Sequence, residues 1–193
     1  TYKGMKGKIY PYLRAIHTQF SIMFGLSSYD VILVGSDYVK YGLIKRGFEK
    51  SKIKVIGTPI FVPYHKVREI KTCNLKSPVI LNIGRVAPDR RPIDFIKVAK
   101  NVRRSIPSAR FIWIGSGELL KDLREIAGQH VNFIGKVADD LKFQLITKSC
   151  IFAFTGQNFF AGFNIPIGEA LLCGTPVVSY RMPVLKIIFD ELI

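Results

Sequence analysis

The sequence has no long hydrophobic run. Its apolar stretches, such as 79–83 and 151–154, are far shorter than the roughly 20 residues that a helix needs to cross a bilayer, so we expect no transmembrane helix. The basic start of the chain is interrupted by Pro11, Arg14 and His17, which does not fit a secretory signal. Because the first residue is Thr and not Met, we expect a fragment of a longer protein.

Cysteine is also scarce. The chain has three cysteines, Cys73, Cys150 and Cys173, at wide spacing and without a neighbouring histidine. An odd number in this arrangement argues against both a disulfide framework and a zinc site. We therefore expect reduced cysteines, no bound metal and a cytoplasmic protein.

Acidic residues are few, since 14 Asp and Glu stand against 29 Lys and Arg and the formal net charge is +15. Such an excess fits an anionic partner, and nucleic acid, anionic lipid and phosphorylated ligands all meet that description. The basic residues are spread along the chain, so we interpret most of them as solvated surface or as surface close to a membrane. The protein is then expected to lie peripherally at a membrane.

The apolar content of 48% is that of a folded protein and excludes a disordered tail. Apolar runs of strand length alternate with segments of helical period, which is the pattern of βαβ units around a parallel sheet. The fold class predicted is therefore α/β, with a Rossmann-like, doubly wound parallel sheet. From residue 78 onward we predict strands at 79–83, 110–114, 131–134, 151–154 and 176–179, and helices at 93–105, 118–127, 139–147 and 165–173.

A second body precedes this sheet. Its predicted elements are a helix over 9–24, a strand over 31–35, a helix over 38–47 with Ser36 as its N-cap, and a strand over 53–56. Prolines and polar residues then mark a connection. We predict a first domain over 1–60, a linker over 61–77 and a second domain over 78–193 that is truncated at its C-terminal end.

Ligands of doubly wound sheets bind outside the carboxyl ends of the strands. There, Gly84 and Arg85 follow a strand, and Arg90 and Arg91 precede a helix; a close backbone, cations and a helix N-terminus together suit an anionic group. The alternative is a turn with solvated arginines.

Further along the chain, Gly115 and Gly117 lack the third glycine of a dinucleotide fingerprint. A strand-to-helix turn therefore explains these glycines, and a dehydrogenase is disfavoured.

The stretch from Gly162 to Val178 is the most informative. Gly162, Phe163 and Asn164 precede a predicted helix whose free amides can hold phosphate. Glu169 lies on that helix, where a carboxylate can accept two hydrogen bonds from a ribose diol. The alternative for Glu169 is an ordinary carboxylate on a helix surface.

Several stretches carry a resemblance to a known family. They are Asn82–Arg85, Phe111–Gly117, Val131–Val137, Gly162–Pro166, Glu169–Leu171 and Gly174–Val178. In this order they resemble the C-terminal domain of family 4 glycosyltransferases, which are retaining enzymes of the GT-B fold. Residues 29–36 and 52–56 resemble the end of that family's N-terminal domain, so the first domain is interpreted as a remnant of the acceptor-binding side.

The resemblance implies a nucleotide-diphosphate sugar as donor, no cofactor and no metal. Arg85 and Arg90 would hold the diphosphate, and Glu169 the ribose. Gly84 would admit the backbone close to the phosphates, and Gly162, Phe163 and Asn164 would approach the sugar phosphate. Gly135, Lys136 and Val137 would flank the nucleobase. The acceptor, a glycan or a lipid-linked molecule, and the catalytic residues stay unassigned.

Two positions depart from the family's pattern. Ala161 stands where the family has the first Glu of a pair whose second member is Glu169, and Arg91 stands where glycine is usual.

Three functions remain as candidates. The first is a glycosyltransferase, although we do not expect activity from this fragment alone. The second is a non-catalytic homologue that binds a nucleotide or sugar phosphate, which Ala161 favours, and the third is a basic nucleic-acid-binding module. The third ranks last because the aromatic residues fall mostly in the apolar runs.

Overall fold

The computed structural model describes residues 25, 28–63, 65, 73–157 and 164–182. The chain divides into two compact units, residues 1–57 and residues 58–193, and each is described by itself. The helix predicted over 9–24 lies outside the described residues. The predicted domain limits, and the interpretation of the first domain as an acceptor-side remnant, stay predictions.

The first unit contains strand β1 (Ile32–Val34), helix α1 (Asp37–Ile44) and strand β2 (Ile53–Val55). The two strands are parallel, with Ile32 opposite Ile53. Ser36 caps α1 as predicted, because its hydroxyl accepts a hydrogen bond from the backbone N–H of Val39 at 3.4 Å. A small core of Ile32, Val34 and Ile53 lies under the apolar side of the helix.

The second unit is a parallel sheet of five strands in the order β5-β4-β3-β6-β7, which confirms the predicted doubly wound fold. Its elements are β3 (Val79–Ile83), α2 (Pro92–Ser105), β4 (Arg110–Ile114), α3 (Leu120–Ala127), β5 (Asn132–Gly135), α4 (Asp139–Lys148), β6 (Ile151–Phe154), α5 (Ile165–Leu172) and β7 (Val177–Ser179).

Most predicted boundaries lie within a residue or two of these. Helix α3 begins at Leu120 and not at the predicted 118, because residues 118 and 119 form a turn. In that turn the N–H of Leu119 donates to the carbonyl of Val86, so the chain is tied to a neighbouring loop before the helix starts.

An aromatic cluster forms the core on one side of the sheet. Trp113 of β4 is completely buried and makes an edge contact with Phe95 and a stacked contact with Phe133. Its indole N–H donates to the carbonyl oxygen of Gly84 at 3.0 Å. Since a buried indole N–H needs an acceptor, this hydrogen bond also fixes the loop that follows β3.

The cysteines differ from expectation. Cys73 and Cys150 form a disulfide with a Cα–Cα distance of 5.0 Å, so the prediction of reduced cysteines is wrong for this pair. The two residues are 77 positions apart, and the wide spacing that argued against a bridge is closed by the fold. The cytoplasmic interpretation loses the support that it drew from reduced cysteines.

Within the described ranges, no helix is long and apolar enough to span a membrane.

Candidate functional site

The loops at the carboxyl ends of β3, β4 and β5 are joined by backbone hydrogen bonds. The N–H of Gly84 donates to Ile114, and that of Gly115 donates to Gly135 at 2.7 Å. A Cβ on Gly115 would lie 2.0 Å from the carbonyl oxygen of Gly84, and one on Gly117 would lie 2.4 Å from that of Val86. Close approach of backbones therefore explains both glycines, in agreement with the turn inferred from the sequence.

The two candidate diphosphate-binding arginines have different environments. The side chain of Arg85 is 67% exposed and pairs with Asp89 at 3.2 Å. The side chain of Arg90 is 18% exposed, and its Nε lies 3.5 Å from Asp89. Among the described residues, neither Nε nor Nη1 of Arg90 finds a hydrogen-bond partner, although both atoms are buried. The alternative of solvated arginines therefore fits Arg85 and does not fit Arg90.

Arg90 lies between the ends of the neighbouring strands β3 and β6. Its guanidinium carbon is 5.6 Å from the centre of the Phe154 ring, and a Cβ on Gly156 would lie 3.2 Å from its Cδ. Thr155 donates its hydroxyl to the Arg90 carbonyl at 2.9 Å and accepts from buried Asn82. Both strands therefore hold the backbone that carries this cation at the carboxyl edge of the sheet.

Arg91, at the N-cap of α2, has a left-handed backbone with φ 47° and ψ 53°. Left-handed geometry costs a non-glycine residue about 1 to 2 kcal/mol, so the structure shows why glycine suits this position. Three side chains hold Arg91 there: Asp94 at 2.5 Å, Gln157 at 2.5 Å, and Tyr180, whose ring centre lies 4.9 Å from the guanidinium.

Glu169 is buried on α5, with 6% of its surface exposed, so the alternative of a surface carboxylate is wrong. Its Oε1 accepts a hydrogen bond from Nζ of Lys142 at 2.8 Å. Burial acts to lower the pKa of Lys142, but the hydrogen bonds to Glu169 and Asp139 and the charges of both carboxylates outweigh it and raise that pKa above its usual value. The ammonium group is therefore charged at neutral pH.

Asn164 is the N-cap residue of α5, yet its side chain makes no capping hydrogen bond. Its Oδ1 is buried, and within the described part of the chain it has no hydrogen-bond partner. Gly162 and Phe163, predicted to approach the sugar phosphate, and Ala161 lie outside the described residues.

The loop predicted to flank the nucleobase follows β5. Gly135 ends the strand with φ 79°, a conformation that favours glycine. Lys136 is exposed and Val137 is partly buried. Helix α4 begins directly after this loop, so the predicted base-flanking residues and Lys142 belong to one continuous segment.

Sequence reasoning missed Lys142. Its partner Glu169 is 27 residues away, so no local pattern announces the pair. The nearest signal is Asp139 three residues earlier on the helix, which also pairs with Lys142 at 3.0 Å.

Among the described residues, no three His, Cys, Asp or Glu side chains are grouped as metal ligands. The expectation of a metal-free site stays a prediction.

Comparison with solved structures places the fold in a known class. Anabaena Alr3699/HepE, in complex with UDP and glucose, aligns with a TM-score of 0.61 and 20% identity over 85% of this chain and 46% of that chain. The pneumococcal O-GlcNAc transferase GtfA, in complex with UDP and GlcNAc, aligns with a TM-score of 0.61 and 18% identity over 82% and 31%. The fold is that of GT-B glycosyltransferases, present in part.

Sequence comparison gives the family. The profile of the family described as glycosyl transferases group 1 matches residues 64–192, and the chain belongs to this family. Sulfoquinovosyl transferase SQD2 of Arabidopsis thaliana is 22% identical over 153 residues, which are 77% of this chain and 29% of that protein. The chain thus spans less than half the length of the relatives described here.

Proposed function

We propose that this chain is the donor-binding part of a family 4 glycosyltransferase. The enzyme transfers a sugar from a nucleotide-diphosphate sugar to an acceptor with retention of configuration. It uses no metal and no cofactor, because the cations of the site stabilise the diphosphate leaving group. The acceptor is a glycan or a lipid-linked molecule.

The observation that carries this proposal is the environment of Arg90. Asp89 lies 3.5 Å from Nε of Arg90, but the buried Nε and Nη1 make no hydrogen bond to a described residue, and buried donors left unsatisfied are costly. Arg90 lies at the carboxyl edge of a doubly wound sheet, where ligands of such folds bind. An anionic ligand that reaches Nε and Nη1 would remove this cost, and a diphosphate offers the oxygens to do so.

Two further features support a nucleotide as the carrier of the diphosphate. Glu169, which the family resemblance assigns to the ribose, is a buried and ionically paired carboxylate on the helix after β6. The structures of HepE and GtfA contain UDP with a sugar. Together these features favour a nucleoside diphosphate over inorganic phosphate.

The proposal is tested by a binding screen with UDP, GDP, ADP and their common sugars. A ligand at 100 times its dissociation constant should add about 2.7 kcal/mol to the free energy of unfolding, which a thermal shift detects. Calorimetry with inorganic pyrophosphate separates a phosphate site from a nucleotide site. If none of the nucleotides binds in either assay, the proposed function is wrong.

Ala161 favours a second candidate, a homologue that binds nucleotides without transferring sugar. In the family resemblance, a carboxylate at this position faces the donor sugar. Ala161→Glu should then change the affinity for a nucleotide sugar and leave that for the free nucleoside diphosphate nearly unchanged. Equal effects on both ligands would remove position 161 from the sugar pocket.

We expect no sugar transfer from these 193 residues alone, because the chain covers 46% of HepE and the GT-B cleft needs two domains. Transfer activity and retention are therefore measured on the full-length protein. The anomeric configuration of its product, read by NMR, tests retention. Sugar transfer by the 193-residue chain alone would contradict this expectation.

A further inference from the structure

The Lys142–Glu169 pair joins two parts of the candidate site. Lys142 lies on α4, which follows the loop predicted to flank the nucleobase, and Glu169 lies on α5 and is predicted to bind the ribose. The Nζ to Oε1 distance is 2.8 Å, with 18% of the lysine side chain and 8% of the glutamate side chain exposed. The pair is thus largely removed from water.

The contact restricts both groups. Asp139 pairs with the other side of the ammonium group at 3.0 Å, but its side chain is 83% exposed, so water screens that pair. The centre of the Phe143 ring lies 4.3 Å from Nζ. Within the described ranges, no residue other than Lys142 donates a hydrogen bond from its side chain to Glu169, so this lysine sets the direction of the carboxylate.

A binding carboxylate is effective when neighbouring groups hold it in the productive orientation before the ligand arrives. With Oε1 engaged, Oε2 is also held, because the two oxygens of the carboxylate turn together about the Cγ–Cδ bond. Loss of Lys142 would leave a buried carboxylate free to rotate and without a compensating charge.

We infer that Lys142 is a positioning residue for the ribose: it acts through Glu169, holding the carboxylate oriented for the ribose hydroxyls of the nucleotide. This inference rests on the proposed function. It extends the site to a residue that sequence reasoning did not identify, and it links the base-flanking loop to the ribose contact.

The test compares a ribonucleotide with its 2′,3′-dideoxy analogue. The ribonucleotide is whichever of UDP, GDP and ADP the unmodified chain binds most tightly. Since losing a charge-assisted hydrogen bond costs about a factor of ten in affinity, we expect the unmodified chain to prefer the ribonucleotide by about tenfold. In Lys142→Met this preference should disappear, while affinity for the dideoxy analogue stays the same.

Two variants serve as controls. Lys148→Met removes an exposed lysine from the same helix and should keep the full ribose preference. Lys142→Arg restores a charged donor opposite Glu169 and should recover part of it. A purely structural lysine would instead change both affinities by the same factor, and that result, or an unchanged preference in Lys142→Met, overturns the inference.

A third comparison covers the case in which Lys142→Met does not fold. The double variant Lys142→Met/Glu169→Gln removes the uncompensated charge and should bind both ligands as Glu169→Gln does alone. Any additional loss would mean that Lys142 contacts the ligand directly, which also overturns the inference. Absence of nucleotide binding in the unmodified chain overturns the proposed function itself, whereas binding with a ribose preference that ignores Lys142 overturns this inference only.

Discussion

The two sides of the candidate site, Arg90 and the Lys142–Glu169 pair, differ in how their buried charges are satisfied. On one side, Arg90 has buried nitrogens without a hydrogen-bond partner among the described residues. On the other, Glu169 already has a hydrogen bond from Lys142. Both groups are largely withdrawn from water, yet Arg90 keeps unused hydrogen-bond donors although Asp89 lies 3.5 Å from its Nε, whereas Glu169 has a hydrogen-bonded ion pair within the protein.

The difference indicates what each side does on binding. A cation with unused buried donors contributes to affinity because the ligand supplies the missing hydrogen-bond acceptors, and folding carries the cost beforehand. A paired carboxylate contributes orientation, because little of its charge remains to be compensated. Substitutions on the two sides should therefore affect folding stability and ligand affinity in opposite proportions.

The largest expected effect is on the paired side. Lys142→Met leaves Glu169 buried without its partner, and breaking a buried ion pair in this way costs about 3 kcal/mol of folding stability. Urea denaturation of the ligand-free chain measures this change. Lys148→Met is the control and should be neutral. A loss below about 1 kcal/mol would be the size of an exposed pair and would contradict the burial seen here.

The arginine side should behave in the opposite way. Arg90→Met removes the unused buried donors, and Asp89, which also lies 3.5 Å from Arg90, keeps its pair with Arg85. The stability of the ligand-free chain should therefore stay level or rise. Affinity for a nucleoside diphosphate should fall by about 2 to 3 kcal/mol, since charge-assisted hydrogen bonds are lost.

Denaturation and calorimetry measure the two quantities, and Arg104→Met, at an exposed position of α2, is the control for removal of a charge. A marked loss of stability in Arg90→Met would show that Arg90 serves the fold. Equal losses for nucleoside and nucleoside diphosphate would also contradict a role at the phosphates.

The sequence predicts the features of the fold that depend on local patterns and misses those that depend on tertiary contacts. The strands β3, β4 and β6 were predicted to the residue, because each is a short apolar run between turn signals. Helices α4 and α5 also begin where predicted, but α3 begins later, since a hydrogen bond from Leu119 to Val86 depends on the neighbouring loop. Tertiary contacts of this kind leave no local pattern.

For the site, residue types at the ends of strands singled out Arg85 and Arg90. Glu169 was singled out by its place on a helix together with the family resemblance. The sequence could not distinguish exposed Arg85 from the largely covered Arg90, because their difference depends on Phe154 and Gly156, at and just after the end of β6. It could not pair Lys142 with Glu169, or Cys73 with Cys150, for the same reason. Contacts between residues far apart in sequence were the ones missed.

A smaller effect on folding stability is expected at Arg91, the N-cap residue of α2. Because its backbone is left-handed, Arg91→Gly should be more stable than Arg91→Ala by about 1 kcal/mol, the reverse of the usual order inside a helix. Both variants lose the contacts to Asp94, Gln157 and Tyr180 equally, so their difference isolates the backbone. Denaturation of the two variants is the measurement, and a more stable alanine variant would contradict the left-handed geometry.

The smallest expected effect is the response of the Lys142–Glu169 pair to pH near neutrality. The pKa of Lys142 is raised above its ordinary value of 10.5 in the folded chain. A group whose pKa is raised on folding contributes fully below its unfolded pKa and loses that contribution as the pH rises through the folded pKa. The stability difference between the unmodified chain and Lys142→Met should therefore be unaffected by titration of this lysine from about pH 6 to 9 and decrease only above about pH 10.5.

Taking the difference removes the effects of groups common to both proteins. One of these is Tyr180, whose pKa is also raised, by burial and by its hydrogen bond to Asp94. Melting temperatures of both proteins across this range test the prediction, and a difference that declines between pH 7 and 9 would mean that the ammonium group is not held by its carboxylates.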